Sequence, residues 1–287
     1  MFFVSVCHEA SKDDDVEIPP PPPALPSTDL KNSRDDKNYI SSKVIFSIKF
    51  IYWYSAVIGM SFIVCFCCIF RLRHPNTGVF GSKLMQNIHK LLPIEFEIEG
   101  EELLKCPKAA VVVLNHQSSI DQMVLFEIWP ILGNCGLVSK KEFFLLQPYM
   151  WPYGLALWMC GGEFINKGSK TSHEAFNQIG ARATEEAKKL MIFPEGKLNT
   201  KKGLTMLPFK KGAFHIAIDG KVPILPVVIS DFLNAKKMIF NPGKVTIKVL
   251  PRIDTSQYTK ENIYDLVTHT RNIMIEELKK ISKQKSD

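Results

Sequence analysis

Several signatures that would fix a function at once are missing from this chain. There is no G-x-x-x-x-G-K-S/T loop and no G-x-G-x-x-G turn, so nucleotide or dinucleotide binding of those kinds is unsupported. There is no G-x-S-x-G, the sharp turn that exposes a serine nucleophile. No N-x-S/T acceptor occurs, which is compatible with a cytosolic face. Seven cysteines is an odd number, and Cys65, Cys67 and Cys68 fall together in an apolar run. That argues against a disulfide framework and for a reducing compartment. Nucleic acid is a poor partner, because the basic residues do not interleave with exposed aromatics.

What the chain does have is an uneven distribution of charge. The total is +7; residues 1–40 hold four Lys/Arg against eight Asp/Glu, so they carry −4 and the remainder +11. A basic body suits a phosphate-bearing ligand or an anionic membrane surface, and a solvated basic face equally well. Residues 1–42 contain Asp13-Asp14-Asp15, the prolines Pro19 to Pro23, and Pro26. Such a segment cannot bury enough apolar surface to offset its ordering entropy, which predicts a disordered acidic tail. Its proline run predicts a polyproline II spacer, with an SH3- or WW-type domain as the class of partner for Pro19 to Pro26.

Phe50 to Phe70 is 21 residues without a charge, bounded by Lys49 and by Arg71 and Arg73. About 20 apolar residues span a bilayer core as a helix, and Tyr52, Trp53 and Tyr54 near one end fit an interfacial belt. A membrane anchor over 43–74 is expected, with a buried core helix as the alternative. Residues 75–287 then form one domain. Apolar runs predict strands at Phe96–Glu99, Ala109–Leu114, Gly136–Ser139, Glu163–Ile165, Leu190–Phe193, Ile224–Ser230 and Val245–Leu250. Helical periodicity covers Ser119–Ile131, Lys141–Gln147, Ser172–Lys188, Ala213–Asp219 and Lys260–Ile281. The alternation implies an α/β domain with a mixed, largely parallel sheet flanked by helices. In such sheets ligands gather beyond the carboxyl ends of the strands.

Two stretches at such ends carry candidate chemistry. Leu114-Asn115-His116-Gln117-Ser118-Ser119-Ile120-Asp121 reads as strand, loop and helix start, with Ser118 or Ser119 as N-cap. Five residues is about 500° on a helix, so His116 and Asp121 cannot meet on one regular helix. They can meet if His116 is on the loop and Asp121 reaches back from the first helical turns. The carboxylate would then hold one imidazole nitrogen protonated and leave the other free to take a proton. On these residues alone His116 is either that base or a satisfied structural histidine. A metal site lacks support, since no second ligand stands at the usual spacing. Phe193-Pro194-Glu195-Gly196 follows a second strand. Glu195 could accept a hydrogen bond from a substrate hydroxyl, Gly196 lets the backbone approach a ligand, and Lys197, Lys201, Lys202, Lys210 and Lys211 could hold a phosphate as point charges. The same four residues also make an ordinary turn.

Taken together and in order, Asn115–Asp121, Gly161–Lys167, Phe193–Gly196 and Val222–Val227 resemble the N-H-x-x-x-x-D, G-x-x-F-I-x-(R/K), F-P-E-G and V-P-I-x-P-V blocks of the glycerolipid acyltransferases. Leu207-Pro208-Phe209-Lys210-Lys211-Gly212-Ala213-Phe214-His215 is similar to the 1-acylglycerol-3-phosphate acyltransferases of animal type. The likeness runs from about Ile94 to the C-terminal helix. It implies transfer of a fatty acyl group from acyl-CoA, a co-substrate with no further cofactor, to the sn-2 hydroxyl of lysophosphatidate, giving phosphatidate at the endoplasmic reticulum membrane. It also implies His116 as base, Asp121 as its orienter, backbone N–H groups at the helix start as oxyanion donors, and Glu195 and Gly196 as contacts to the glycerol phosphate. Where the family usually has Thr-Arg after F-P-E-G, this chain has Lys197 and Leu198, and Lys167 stands where an arginine is usual. The phosphate clamp would then be rebuilt from Lys167, Lys197, Lys210 and Lys211, with Glu163 repelling a phosphate if it faced the site. Another lysophospholipid as acceptor, or a lipid-binding scaffold of the same fold without turnover, fits the same residues.

Overall fold

The computed structural model describes residues 32–287 except 93, 119, 142–150, 166–171, 200–203, 231–232, 235–238, 241–242 and 284–287; side chains of 32–42, 172–173, 233–234, 239–240 and 283 are also not described. The chain divides into two units, Met1–Ile40 and Ser41–Asp287. Of the first only helical backbone at 32–40 is described, so the proline run lies outside the described residues, as does most of the helix expected at Lys141–Gln147.

A seven-stranded sheet organises the second unit. Its strands are β1 (Ile94–Glu99), β2 (Ala110–Leu114), β3 (Cys135–Lys140), β4 (Glu163–Ile165), β5 (Lys189–Ile192), β6 (Ile224–Ile229) and, after a two-stranded pair β7 (Leu233–Asn234) and β8 (Ile239–Phe240), β9 (Gly243–Val249). The order is β1-β9-β6-β2-β5-β3-β4. All neighbours are parallel except β6 and β9, so the sheet is mixed and largely parallel, as expected. β2 and β6 are buried along their whole length. That explains their unbroken apolar runs: a central strand covered on both faces has no polar side to alternate with.

The helices are α1 (Asn32–Cys67), α2 (Pro75–His89), α3 (Glu101–Lys105), α4 (Gln122–Leu132), α5 (Trp151–Met159), α6 (Ser172–Glu185), α7 (Gly212–Asp219) and α8 (Ile263–Lys283). Alternate residues of β2 sort them into two layers. Ala110, Val112 and Leu114 pack with α1, α2, α4 and α5; Val111 and Val113 pack with α6, α7 and α8. The period-2 alternation of a strand thus divides the core into two halves.

Helix α1 begins at Asn32, inside the stretch read above as tail. Lys43–Cys67 is long and apolar enough to cross a membrane, with mean hydropathy 1.9. One stripe of it is buried: Trp53, Val57, Met60 and Val64, at spacings of four, three and four, which is one face of a helix. Trp53 lies 4.9 Å from the His89 ring and 6.0 Å from Phe126. The remaining faces stay exposed and apolar, with Ile45, Ile48, Ile51, Phe62, Ile63 and Phe66. Past the end of α1, Arg73 donates to Glu163 (2.5 Å) and to the Gly162 carbonyl (3.1 Å). Arg182 also donates to Glu163, at 2.9 Å. Glu163 is 9% exposed and enclosed by these cations and by Lys188 at 3.7 Å, so its charge is spent inside the fold rather than against a substrate phosphate.

Helices α2, α3 and α5 were not expected. Helix α2 opens with Pro75 at N1 and His74 as N-cap, its side chain accepting from the Asn76 N–H. Its small residues let it press against α4: a Cβ on Gly78 would fall 2.2 Å from Trp129 Nε1. Gly78→Val is therefore expected to lower stability by roughly 1–3 kcal/mol through overpacking, read as a shift of the denaturation midpoint in detergent. An unchanged midpoint would mean that α2 and α4 are not in this contact.

Candidate active site

From the carboxyl ends of two adjacent parallel strands, the chain leaves β2 toward α4 in one layer and β5 toward α7 in the other. This is the reversal at which open α/β sheets bind ligands. Asn115 fixes the end of β2. Its fully buried amide accepts from the Ile229 N–H at 2.7 Å and donates to the Ile229 carbonyl at 3.0 Å. The side chain thereby adds one more rung to the β2–β6 ladder after the backbone has turned away.

The next residue is His116. Its Nδ1 lies 3.0 Å from Asp121 Oδ2, and the same oxygen accepts from the Gln117 N–H (2.7 Å) and the Ser118 N–H (3.0 Å). Asp121 is 1% exposed, whereas the His116 side chain keeps 24%. A buried carboxylate at Nδ1 holds that nitrogen in its N–H form and leaves Nε2 as the basic one. Phe193 stacks on the imidazole, ring centroids 4.3 Å apart. The pairing is as expected; its placement differs slightly. Asp121 is itself the N-cap of α4, without a side-chain cap bond, because its carboxylate turns back to the loop. Ser118 Oγ instead accepts from the Ile120 N–H within the loop.

That arrangement bears on the oxyanion donors expected at the helix start. The N–H groups of Gln117, Ser118, Ile120, Asp121 and Met123 all have partners within residues 118–121. They do not form an open cradle for an oxyanion.

The loop after β5 grips the histidine's backbone. Glu195 Oε1 accepts from the His116 N–H (2.8 Å) and Oε2 from the Leu207 N–H (2.7 Å). The His116 carbonyl accepts from the Asn199 N–H at 2.9 Å. Glu195 is 2% exposed; it faces two backbone amides, not open solvent where a substrate would arrive. Burial pushes its carboxyl above the ordinary range, and the two amide bonds and His116 pull it back in part. Gly196 has φ +67, and a Cβ there would meet Lys210 Cε and Nζ at 2.8 Å, so both backbone and space call for glycine.

Of the cations expected at the site, Lys210 lies across Gly196, and Lys197 is exposed on the same loop. Lys211 is drawn away: its ammonium sits 3.5 Å from the Tyr264 ring centroid. Lys167, Lys201 and Lys202 lie outside the described residues. One cation was missed. Lys140, at the end of β3, donates to the Gly196 carbonyl at 2.7 Å. Its position at the carboxyl end of a predicted parallel strand was the available signal. Among the described residues no group of three His, Cys, Asp or Glu could hold a metal ion.

Protein comparisons agree with this layout. The Acyltransferase family model matches residues 95–230. The chain is 39% identical over 178 residues to 1-acyl-sn-glycerol-3-phosphate acyltransferase beta of Homo sapiens, spanning 61% of each chain. It is 31% identical over 221 residues to the alpha form of Homo sapiens, 75% of each chain. With 1-acyl-sn-glycerol-3-phosphate acyltransferase of Saccharomyces cerevisiae it is 34% identical over 222 residues, 75% of this chain and 70% of that one. The crystal structure of the 1-acyl-sn-glycerophosphate (LPA) acyltransferase PlsC from Thermotoga maritima has the same fold, with a TM-score of 0.59 at 22% identity over 85% of this chain and 97% of that one.

The raised Glu195 carboxyl has a signed consequence. As pH rises, the unfolded chain loses this proton first, so the group's contribution to stability is full at acid pH and fades as pH passes the folded-state value. Glu195→Gln cannot titrate. The stability advantage of wild type over this variant is expected to shrink as pH rises from the ordinary carboxylate range upward, measured as thermal midpoints. An advantage that grows with pH would show that Glu195 is stabilised as an anion.

Proposed function

Because the chain belongs to the 1-acyl-sn-glycerol-3-phosphate acyltransferase family, we propose that it transfers a fatty acyl group from acyl-CoA to the sn-2 hydroxyl of lysophosphatidate, forming phosphatidate. The observation that carries this reading is the partly exposed imidazole of His116, held by a buried carboxylate at the carboxyl end of β2. Nε2 removes the hydroxyl proton as that oxygen attacks the thioester carbonyl. The tetrahedral intermediate then collapses, the C–S bond breaks, and the CoA sulfur leaves with the proton returned from the imidazolium. The thioester is already activated, so no acyl-enzyme is needed. Asp121 orients the ring and stabilises its charged form. Lys140, Lys197 and Lys210 offer charge for the acceptor's phosphate around Gly196; Glu195 acts on His116 rather than on the substrate.

The outward apolar faces of α1 fit a membrane, where both substrates reside. We assign the enzyme to that surface, with the endoplasmic reticulum as the compartment. One observation favours a second reading of the acceptor. Leu198 is exposed where a family arginine is usual, and Lys211 is engaged by Tyr264, which weakens the phosphate clamp and admits a different lysophospholipid headgroup.

Membrane fractions assayed with labelled oleoyl-CoA and a panel of lysophospholipids test this. Phosphatidate should dominate for wild type. His116→Ala should lose about 10²–10⁴-fold in rate, and Asp121→Asn on the order of 10². A different dominant product would overturn the acceptor; full activity in His116→Ala would overturn the base and leave the scaffold reading.

A further inference from the structure

The family match stops at residue 230, yet helix α8, beyond it, takes hold of the site. Arg271 Nε donates to the Leu207 carbonyl at 3.0 Å, and Nη2 donates to the Met206 carbonyl. Met206 and Leu207 are both buried, so these carbonyls depend on a protein donor. From the other side of the same peptide, the Leu207 N–H donates to Glu195, whose second oxygen holds the His116 N–H. Seven residues earlier on α8, nearly two turns and so the same face, Tyr264 carries the Lys211 ammonium. Helix α8 thus holds residues 206–211 at both ends. Between the two grips, the Lys210 N–H donates to the Pro194 carbonyl at 2.8 Å, and its side chain crosses Gly196.

We propose that Arg271 is a positioning residue for acyl transfer: through the Leu207 peptide it aims the buried Glu195 charge at the His116 backbone. Only arginine offers the planar fork that reaches two successive carbonyls at once. When that fork is lost, two buried acceptors lose their donor, the 206–207 segment relaxes, and Glu195 and the His116 amide shift with it. A displacement of about 1 Å at a base costs up to about 10²-fold in rate. The proposal rests on the acyl-transfer reading of the site, and Arg271 itself touches no reacting atom.

The test uses the purified full chain in detergent, with Arg271→Ala and Arg271→Lys. Hydrogen exchange should speed up at the His116 and Leu207 amides in Arg271→Ala, while Val111 to Val113 stay protected as in wild type. With oleoyl-CoA and the acceptor that wild type turns over best, kcat should fall about tenfold with KM within about twofold. Arg271→Lys, which keeps one donor, should recover part of the loss. In a Glu195→Gln background the Arg271→Ala change should cost less than about threefold, because the connection is already broken. Unchanged exchange at His116, or the same fold-loss in both backgrounds, overturns the proposal. If Arg271→Ala does not fold, the same readouts on Arg271→Lys decide. If wild type acylates no acceptor, the function reading fails by itself and amide exchange still decides this one.

Discussion

One buried carboxylate holds the site together. Glu195 bridges the backbone amides of His116 and Leu207, two segments 91 positions apart in the sequence, and it does so almost out of contact with water. Taking a carboxylate out of water is costly, and two amide donors offset only part of that cost. The fold sustains it because the donors are themselves fixed. His116 follows a strand ended by the Asn115 clamp, and Leu207 is held from behind by Arg271. Each restraint has little use without the next. The same oxygen-for-amide logic operates at Asp121, where a single Oδ2 gathers the imidazole and two backbone N–H groups.

The sheet makes these contacts feasible. Adjacent parallel strands that send their chains to opposite layers leave their carboxyl ends uncovered, and the His116 and Glu195 loops meet there. The C-terminal helix closes the arrangement from the layer of α7. The site is accordingly built from more of the chain than the span 95–230 that the family model matches.

Much of this was legible in the sequence, and the exceptions have physical reasons. The strands stood out because fully buried runs such as Ala110–Leu114 contain nothing polar. Helix α2 was hidden because its contact face is made of small residues: Thr77, Gly78, Gly81 and Ser82 are buried, and such a face reads as loop when hydrophobicity is the guide. Helix α5 is short and apolar throughout, so it shows no period. The His116–Asp121 pairing followed from spacing, but the true N-cap did not, because the Asp121 carboxylate serves the loop in preference to the helix. Lys211 and Glu195 were read as substrate contacts from residue type. Their partners within the fold, Tyr264 and two backbone amides, are long-range and leave no local trace.

The buried stripe of α1 and the Arg73–Glu163 pair that follows it fasten the apolar helix to the sheet at two separated points. The helix and the sheet are thereby joined, so a lipid surface that took up the outer face of α1 would carry the His116 imidazole at a set distance from it.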